Sequence, residues 1–563
     1  MWGCKVTRVT RRTAVPLLVS LVAPGAACSG DRPAGPLPPA QCGARATQIT
    51  LAVGAYVSID PASDSGCVVF PANASADSTE YLVIAQSVAA SPSESSSFQL
   101  RGAALGAVAA PAAATQAAPA PPQPVAAQFD GFLRSLARTR TYSVPTVGRP
   151  SLAATVSPGG AAAAGPLTLS SLRTFTVCAT LTCSSFQNVG ARVKAVGVHI
   201  AIYVDTLAPA GGLDSADVDT LKQVFDSRLY PLDTASFGGV SDIDSNTVAI
   251  VLMTGVINKL VTRSQCTATG FIAGFFFSGD LDPAFASQFN HGEIFYSIVA
   301  DPGSTLSCAH SATEVKQLTP VTFTHEFQHM ISFVQHVLVR GGHSEEGWLD
   351  EGLSKYAEEV AGRSYLPGDQ ATFSQYAIGD VYDAYQYLNA TGNFPLLIPE
   401  DNGTLAEVGA SWLFARYLAD QFGDSLAHRL VNTALTGSAN VAARTGQPFE
   451  TTLAHWALAN WVSDLPGFTA SPELRYTTWH FRTTYGSLHS QNPTNFPLAY
   501  PLVPSVSGGD GVSVSGVLRS GSGVYQRALQ GAGAPGFALL FSASGGAPLP
   551  LAIEPRLTII RIR

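Results

Sequence analysis

The stretch THEFQHMISFVQHV, Thr324 to Val337, sets two histidines four residues apart with a glutamate directly after the first. On a helix, His325 and His329 lie about 40° apart around the axis and one turn along it, so both imidazoles can reach one ion. Glu326 falls on the flank of the same face, within reach of a water on that ion. This is the residue set that zinc hydrolysis needs. Zinc lowers the pKa of its water towards about 7, and a carboxylate takes the proton as the water attacks a polarised carbonyl. The opposite face carries Phe323, Phe327, Met330, Ile331 and Val334, which would seat the helix in a core.

A catalytic zinc needs a third protein ligand. The segment RGGHSEEGWLDEGLSKYAEEV follows and offers Glu345, Glu346, Asp350, Glu351, Glu358 and Glu359. If the first helix folds back on an antiparallel partner, the point midway between His329 and Glu351 is Arg340. That residue stands beside Gly341 and Gly342, and glycine is the usual stop of a helix. Glu351 is therefore the best-placed third ligand. Glu345 and Glu346 would lie near the turn, and Glu358 and Glu359 would pass below the histidines. Gly347 and Gly352 leave the second helix thin, which favours close approach of its backbone to the metal.

HEFQH followed by WLDEGLSKYAEE resembles the gluzincin metallopeptidases, and within them the hyicolysin-like bacterial peptidases. The stretch DIDSNTVAIVLMTGVINK is also similar to that family. The resemblance covers roughly 190–460 and is most specific at the two motifs. It implies zinc held by His325, His329 and Glu351, with Glu326 as general base. Two departures matter. The G-x-M-E-N signature that holds a free amine in gluzincin aminopeptidases does not occur, which favours an endopeptidase. The tyrosine that many gluzincins place three residues before a glycine is replaced in LAEVGASWLFARYL, where Ala406 precedes Gly409. The oxyanion donor is thus unassigned; Tyr382 and Tyr385 are substitutes to weigh against ordinary core or surface tyrosines.

His336 lies about 10 Å up the helix from His329, too far to join the ion, and His343 and His428 read as loop and surface residues. DIDSN alternates acidic side chains as calcium loops do, but Thr247 stands where an EF-hand has glycine, so it reads as a turn before a strand. GGLDSADVD reads as a helix start.

The elements that must position these residues follow from the wider chain of 563 residues, of which 46% are apolar and 13% charged. The length calls for more than one core, and the composition excludes a wholly disordered protein. A net charge of −8 leaves no nucleic-acid footprint. Lys5, Arg8, Arg11 and Arg12 precede the apolar run Ala14–Ala23, which reads as an export signal over 1–28. Cleavage follows the small residues Gly25, Ala26 and Ala27, or Cys28 is lipidated at a bacterial cell envelope. Six further cysteines suit disulfides in an exported chain, with sequence neighbours suggesting Cys42–Cys67, Cys178–Cys183 and Cys266–Cys308.

The expected organisation is a tether at 29–44, a small β domain at 45–103, and an Ala/Pro/Gly-rich linker or pro-region at 104–168. A peptidase domain at 169–480 and a β module at 500–563 follow. The fold class is α+β: a zincin-like core of mixed sheet and HExxH helix, with a helical C-terminal subdomain and small all-β modules at its flanks. Either GFIAGFFF or GEIFYSIVA would be a sheet edge able to hold an extended peptide. The expected function is an exported zinc endopeptidase acting on protein or peptide. The alternatives are a catalytically degenerate binding or adhesion protein and a zinc aminopeptidase.

Overall fold

The computed structural model describes residues 46–61, 66–105, 124–145, 167–398 and 403–563. The export signal, the tether, Cys28 and Cys42 lie outside them. The described chain is mixed α+β.

Five strands come from the N-terminal side: β1 (Thr47–Gln48), β2 (Tyr56–Ile59), β3 (Cys67–Phe70), β4 (Thr79–Ser87) and β5 (Ser95–Ala104). Helix α1 (Val125–Thr139) follows. Next come β6 (Leu172–Cys178), β7 (Phe186–Val196), β8 (Ile200–Asp205), α2 (Ser215–Val224), α3 (Tyr230–Phe237), β9 (Ala249–Met253), α4 (Gly255–Asn258), α5 (Arg263–Thr269), β10 (Gly274–Phe276) and β11 (Ile294–Ser297). The helical half contains α6 (Ala312–Phe333), α7 (Gly347–Arg363), α8 (Gln370–Asn389), α9 (Leu405–Phe422) and four later helices. The chain closes with β12 (Ser505–Gly508), β13 (Ser513–Arg519), β14 (Gly523–Gln530), β15 (Phe537–Ala543) and β16 (Pro555–Arg561).

The two β modules read separately from sequence share both of their sheets. One sheet runs β1-β3-β15-β5-β13 and the other β12-β14-β4-β16-β2, so strands from the two ends of the chain alternate. Val68, Phe70, Val83, Leu539, Phe541 and Ile559 fill the common core. Alternating strand patterns report that a strand exists but not its partner.

The third sheet runs β10-β11-β9-β8-β7-β6, with β8, β9 and β11 parallel and β10 antiparallel at the edge. Of the two candidate edge segments, GFIAGFFF supplies that edge. ARVKAVGVHIAIYVDT reads from its apolar pattern as one strand but folds as a hairpin of β7 and β8. The cause is local: Val198 and His199 donate their N–H groups to the Asp226 carboxylate at 2.8 Å, and a Cβ at Gly197 would collide with it. In α2 the cap is Asp214, within the expected helix start GGLDSADVD, closed by a reciprocal bond with Asp217.

α6 begins with a capping box between Ser311 and Glu314 and carries Pro320 inside it. A wider turn over Val334–Val339 ends it at Arg340, and Gly341 follows with φ of 64°. The chain therefore reverses at the glycine pair, as the spacing predicts, and α7 runs back along α6. Gly352 of α7 has a different role from the expected one. A Cβ at Gly352 would lie 2.7 Å from the Ser411 carbonyl of α9, so the close approach serves helix packing.

Candidate metal centre

His325, His329 and Glu351 come together, each with a ligand atom within 4.8 Å of the others. The two Nε2 atoms are 3.2 Å apart, and Glu351 oxygens lie 3.5 Å from His325 Nε2 and 3.4 Å from His329 Nε2. Each ring is turned by a carboxylate on its far side. His325 Nδ1 is 2.7 Å from Glu358 Oε1, and His329 Nδ1 is 2.9 Å from Asp350 Oδ2. These bonds place the Nδ1 protons on the carboxylate side and leave both Nε2 lone pairs facing Glu351.

The six carboxylates offered by the sequence have separate tasks. Glu345 accepts from the Gly437 N–H at the neighbouring helix and from Asn440. Glu346 accepts from the Trp348 indole at 2.8 Å. Glu359 accepts from the Trp412 and Trp479 indoles and from Arg363. Asp350 and Glu358 hold the histidines, and Glu351 alone faces both Nε2 atoms. The outer roles of Asp350 and Glu358 were missed from sequence. Glu358 is two helical turns beyond Glu351, and that spacing was the available signal.

The residues fit a divalent metal. Glu351 Oε1 is buried without a hydrogen-bond partner, facing two imidazoles, with the Arg134 guanidinium 3.7 Å away, and a cation held between this oxygen and the imidazoles would satisfy it. Electrostatics agree. Burial would raise the Glu351 carboxyl, but His329 and His325 outweigh it and hold it well below the usual carboxylate range. Burial likewise disfavours charge on His325, yet Glu351 and Glu358 keep its pKa well above an ordinary histidine's. Negative charge thus surrounds the imidazoles. Behind Glu358, Lys355 lies 3.3 Å from both Glu358 and Asp380. It ties Glu358 of α7 to Asp380 of α8.

Glu326 is buried, and its Oε2 accepts the Phe276 N–H of β10 at 2.7 Å. The edge strand therefore fixes the orientation of this carboxylate beside the triad. Tyr382 and Tyr385 lie elsewhere. Tyr382 is exposed and packs edge-on against Phe496, and the Tyr385 hydroxyl bonds both backbone polar groups of Leu498. Gly409 serves packing, since a Cβ there would lie 2.4 Å or less from the α8 backbone at Asp383 and Ala384. His336 is buried 3.7 Å from Glu345, while His343 and His428 are exposed in a loop and on a surface helix.

Sequence reading placed no ordered element over this site, yet α1 lies there. Arg134 approaches Asp350 at 3.4 Å and Glu351 at 3.7 Å, and Phe129 packs edge-on against Phe275 of β10. The segment VAAQFDGFLRSLART carries Phe129, Leu133 and Leu136 at helical spacing, a signal obscured by the Ala- and Pro-rich sequence around it.

Among the described residues, Cys178–Cys183 and Cys266–Cys308 are disulfides. The expected partner of Cys67, Cys42, lies outside them. No helix of the described chain is long and apolar enough to cross a membrane. No protein-family model matches the chain, and no curated protein matches it at a significant level.

Proposed function

We propose that the protein is an exported zinc endopeptidase of the gluzincin type, with His325, His329 and Glu351 holding the metal. The observation that carries this reading is the convergence of two Nε2 atoms and a buried Glu351 oxygen that makes no hydrogen bond, beside the strand-anchored carboxylate of Glu326. When bound, zinc supplies a Lewis acid that polarises the scissile carbonyl and makes water more acidic.

The chain's own residues do the rest. Asp350 and Glu358 fix the imidazole tautomers. Glu326 accepts the proton of the attacking water and delivers it to the leaving amine. β10 presents an edge to which an extended peptide adds as a further strand, so main-chain hydrogen bonds give affinity without demanding a free terminus. The two disulfides suit an oxidising compartment outside the cytoplasm, with lipid attachment at Cys28 as one route of retention.

A fluorogenic peptide blocked at both ends tests the reading. An endopeptidase cuts it internally, loses activity to a zinc chelator and regains it on zinc addition. Cleavage of free N-termini alone would make the enzyme an aminopeptidase. Zinc binding without hydrolysis would favour the binding or adhesion alternative.

A further inference from the structure

The loop DIDSN, which the metal centre does not use, gathers carboxylates at the opposite kind of site. Asp242, Asp244 and Glu293 each place a carboxylate oxygen within 4.8 Å of the others. The sheet causes this meeting. β9 and β11 are parallel neighbours, so the loop entering β9 and the residue preceding β11 arrive side by side. Ile250 N–H donates to the Glu293 carbonyl at 2.7 Å and locks that register.

Within the loop, Asp242 Oδ1 accepts the N–H groups of Asn246 and Thr247 at 2.9 and 3.1 Å. Thr247 adopts φ of 67°, the left-handed conformation that glycine supplies at the sixth position of an EF-hand loop. The turn expected before the strand is present, and Thr247 meets the backbone demand that argued against a calcium loop. Asp242, Asp244 and Asn246 then occupy the first, third and fifth positions. An independent observation points to a ligand. Glu293 is 1% exposed, and its Oε2 has no hydrogen-bond partner, although Oε1 accepts from Ser241 and Ile243. A buried carboxylate oxygen without a hydrogen-bond partner beside two further carboxylates is stabilised by a bound cation. Arg173, 3.7 Å from Asp244, offsets one of the three charges.

We propose that Asp242, Asp244 and Glu293 bind a calcium ion. An all-oxygen set with one exposed and one fully buried carboxylate suits a hard cation that enters from solvent. The ion would tie the entry of β9 to that of β11, and β11 pairs with the strand that anchors Glu326.

The test is calcium titration of the zinc-loaded full chain by equilibrium dialysis, alongside thermal unfolding. One calcium per chain is expected, with a Kd of about 10⁻⁴–10⁻³ M as in extracellular modules. At saturating calcium, Tm rises by about 2–4 °C. The double variant D242N/D244N keeps the oxygen acceptors of the turn and weakens binding at least tenfold, and Glu293→Gln does the same. Absence of saturable binding by the wild type, or equal binding by folded variants, would overturn the site.

A second inference rests on the peptidase reading and concerns α1. This helix fills the space between edge strand β10 and α7, where an extended substrate must lie. Besides Arg134 and Phe129, Arg140 pairs with Asp282 at 2.5 Å, Arg138 reaches Glu346 at 3.6 Å, and Ser344 donates to the Ala137 carbonyl. The cavity left between α1 and Glu351 is about 20 Å³, room for a water and not for a peptide. Asp130 lines it together with Arg134 and Glu351. The geometry points to α1 as an autoinhibitory segment that must leave before substrate enters.

Arg134→Glu sets a negative charge against Asp350 and Glu351 and should release the helix. Hydrolysis of the blocked peptide and the rate of zinc loss to a chelator should each rise at least tenfold over the intact wild type. Elastase nicking of wild type in the Ala-rich sequence on either side of α1 should do the same without a substitution. If the intact chain hydrolyses as fast as both released forms and loses zinc no more slowly, α1 is a fixed wall and not an inhibitor. Faster zinc loss without hydrolysis in any form would support occlusion by α1 while removing the peptidase reading.

Discussion

At the residue scale, the site is two shells of carboxylate around two imidazoles. Glu351 faces the Nε2 atoms, and Asp350 and Glu358 hold the Nδ1 atoms. Because the outer carboxylates fix tautomer and ring angle, Asp350→Asn and Glu358→Gln should each weaken zinc binding about 10–100-fold without removing a ligand. Competition against a chromophoric zinc chelator measures this. Unchanged affinity in both variants would mean the imidazoles need no orienting partner. Ser332, which donates to Asp350 at 2.7 Å, extends the same chain of support into the core of α6.

At the element scale, α6 and α7 form an antiparallel pair, and His336 lies buried near its reversal. This imidazole is fully buried, and burial pushes its pKa down to about 4 from an ordinary 6.5. A depressed folded pKa means that the unfolded chain binds the proton first. The contribution of His336 is therefore complete above pH 6.5 and is lost as pH falls through 4, by roughly 3 kcal/mol in all. Unfolding curves of wild type and His336→Gln across this window should show a shallower acid loss in the variant. Parallel curves would mean the histidine is not the group that titrates.

Much of this pair was legible in the sequence because its signals are local. The four-residue spacing of His325 and His329 and the stop at Gly341 refer to one helix and one turn, and they bring Glu351 to the right height. The contacts that were not legible are distant in sequence. Phe276 meets Glu326 across 50 residues, and Arg134 meets Asp350 across 216. Helical spacing in α1 marks it as a helix but does not say what it covers. Thr247 lies in the turn expected before β9, but its left-handed backbone is not legible from a threonine; the Asp242 carboxylate accepts its N–H there.

At the scale of the whole molecule, the chain closes on itself. β4 lies between β14 and β16, and β15 lies between β3 and β5, so neither end builds a sheet alone. Truncation after residue 504 should expose Leu82, Val83, Phe98 and Leu100 and give an insoluble or protease-sensitive product. Co-expression of 505–563 as a separate chain should restore solubility. A truncated protein that stays soluble with an unchanged Tm would show that the sandwich contributes nothing to the rest. The elements around the candidate metal site come from residues 125 to 422, so no short fragment contains all of it.

The most direct measurement is zinc per chain by elemental analysis with casein hydrolysis, for wild type and Glu326→Gln, each intact and after elastase nicking. The expected result is one zinc in both proteins and hydrolysis by wild type alone, faster after nicking, with the variant reduced about 10²–10⁴-fold. No zinc in either protein, equal hydrolysis by the variant, or zinc without hydrolysis in both intact and nicked wild type would contradict a zinc endopeptidase built on His325, Glu326, His329 and Glu351.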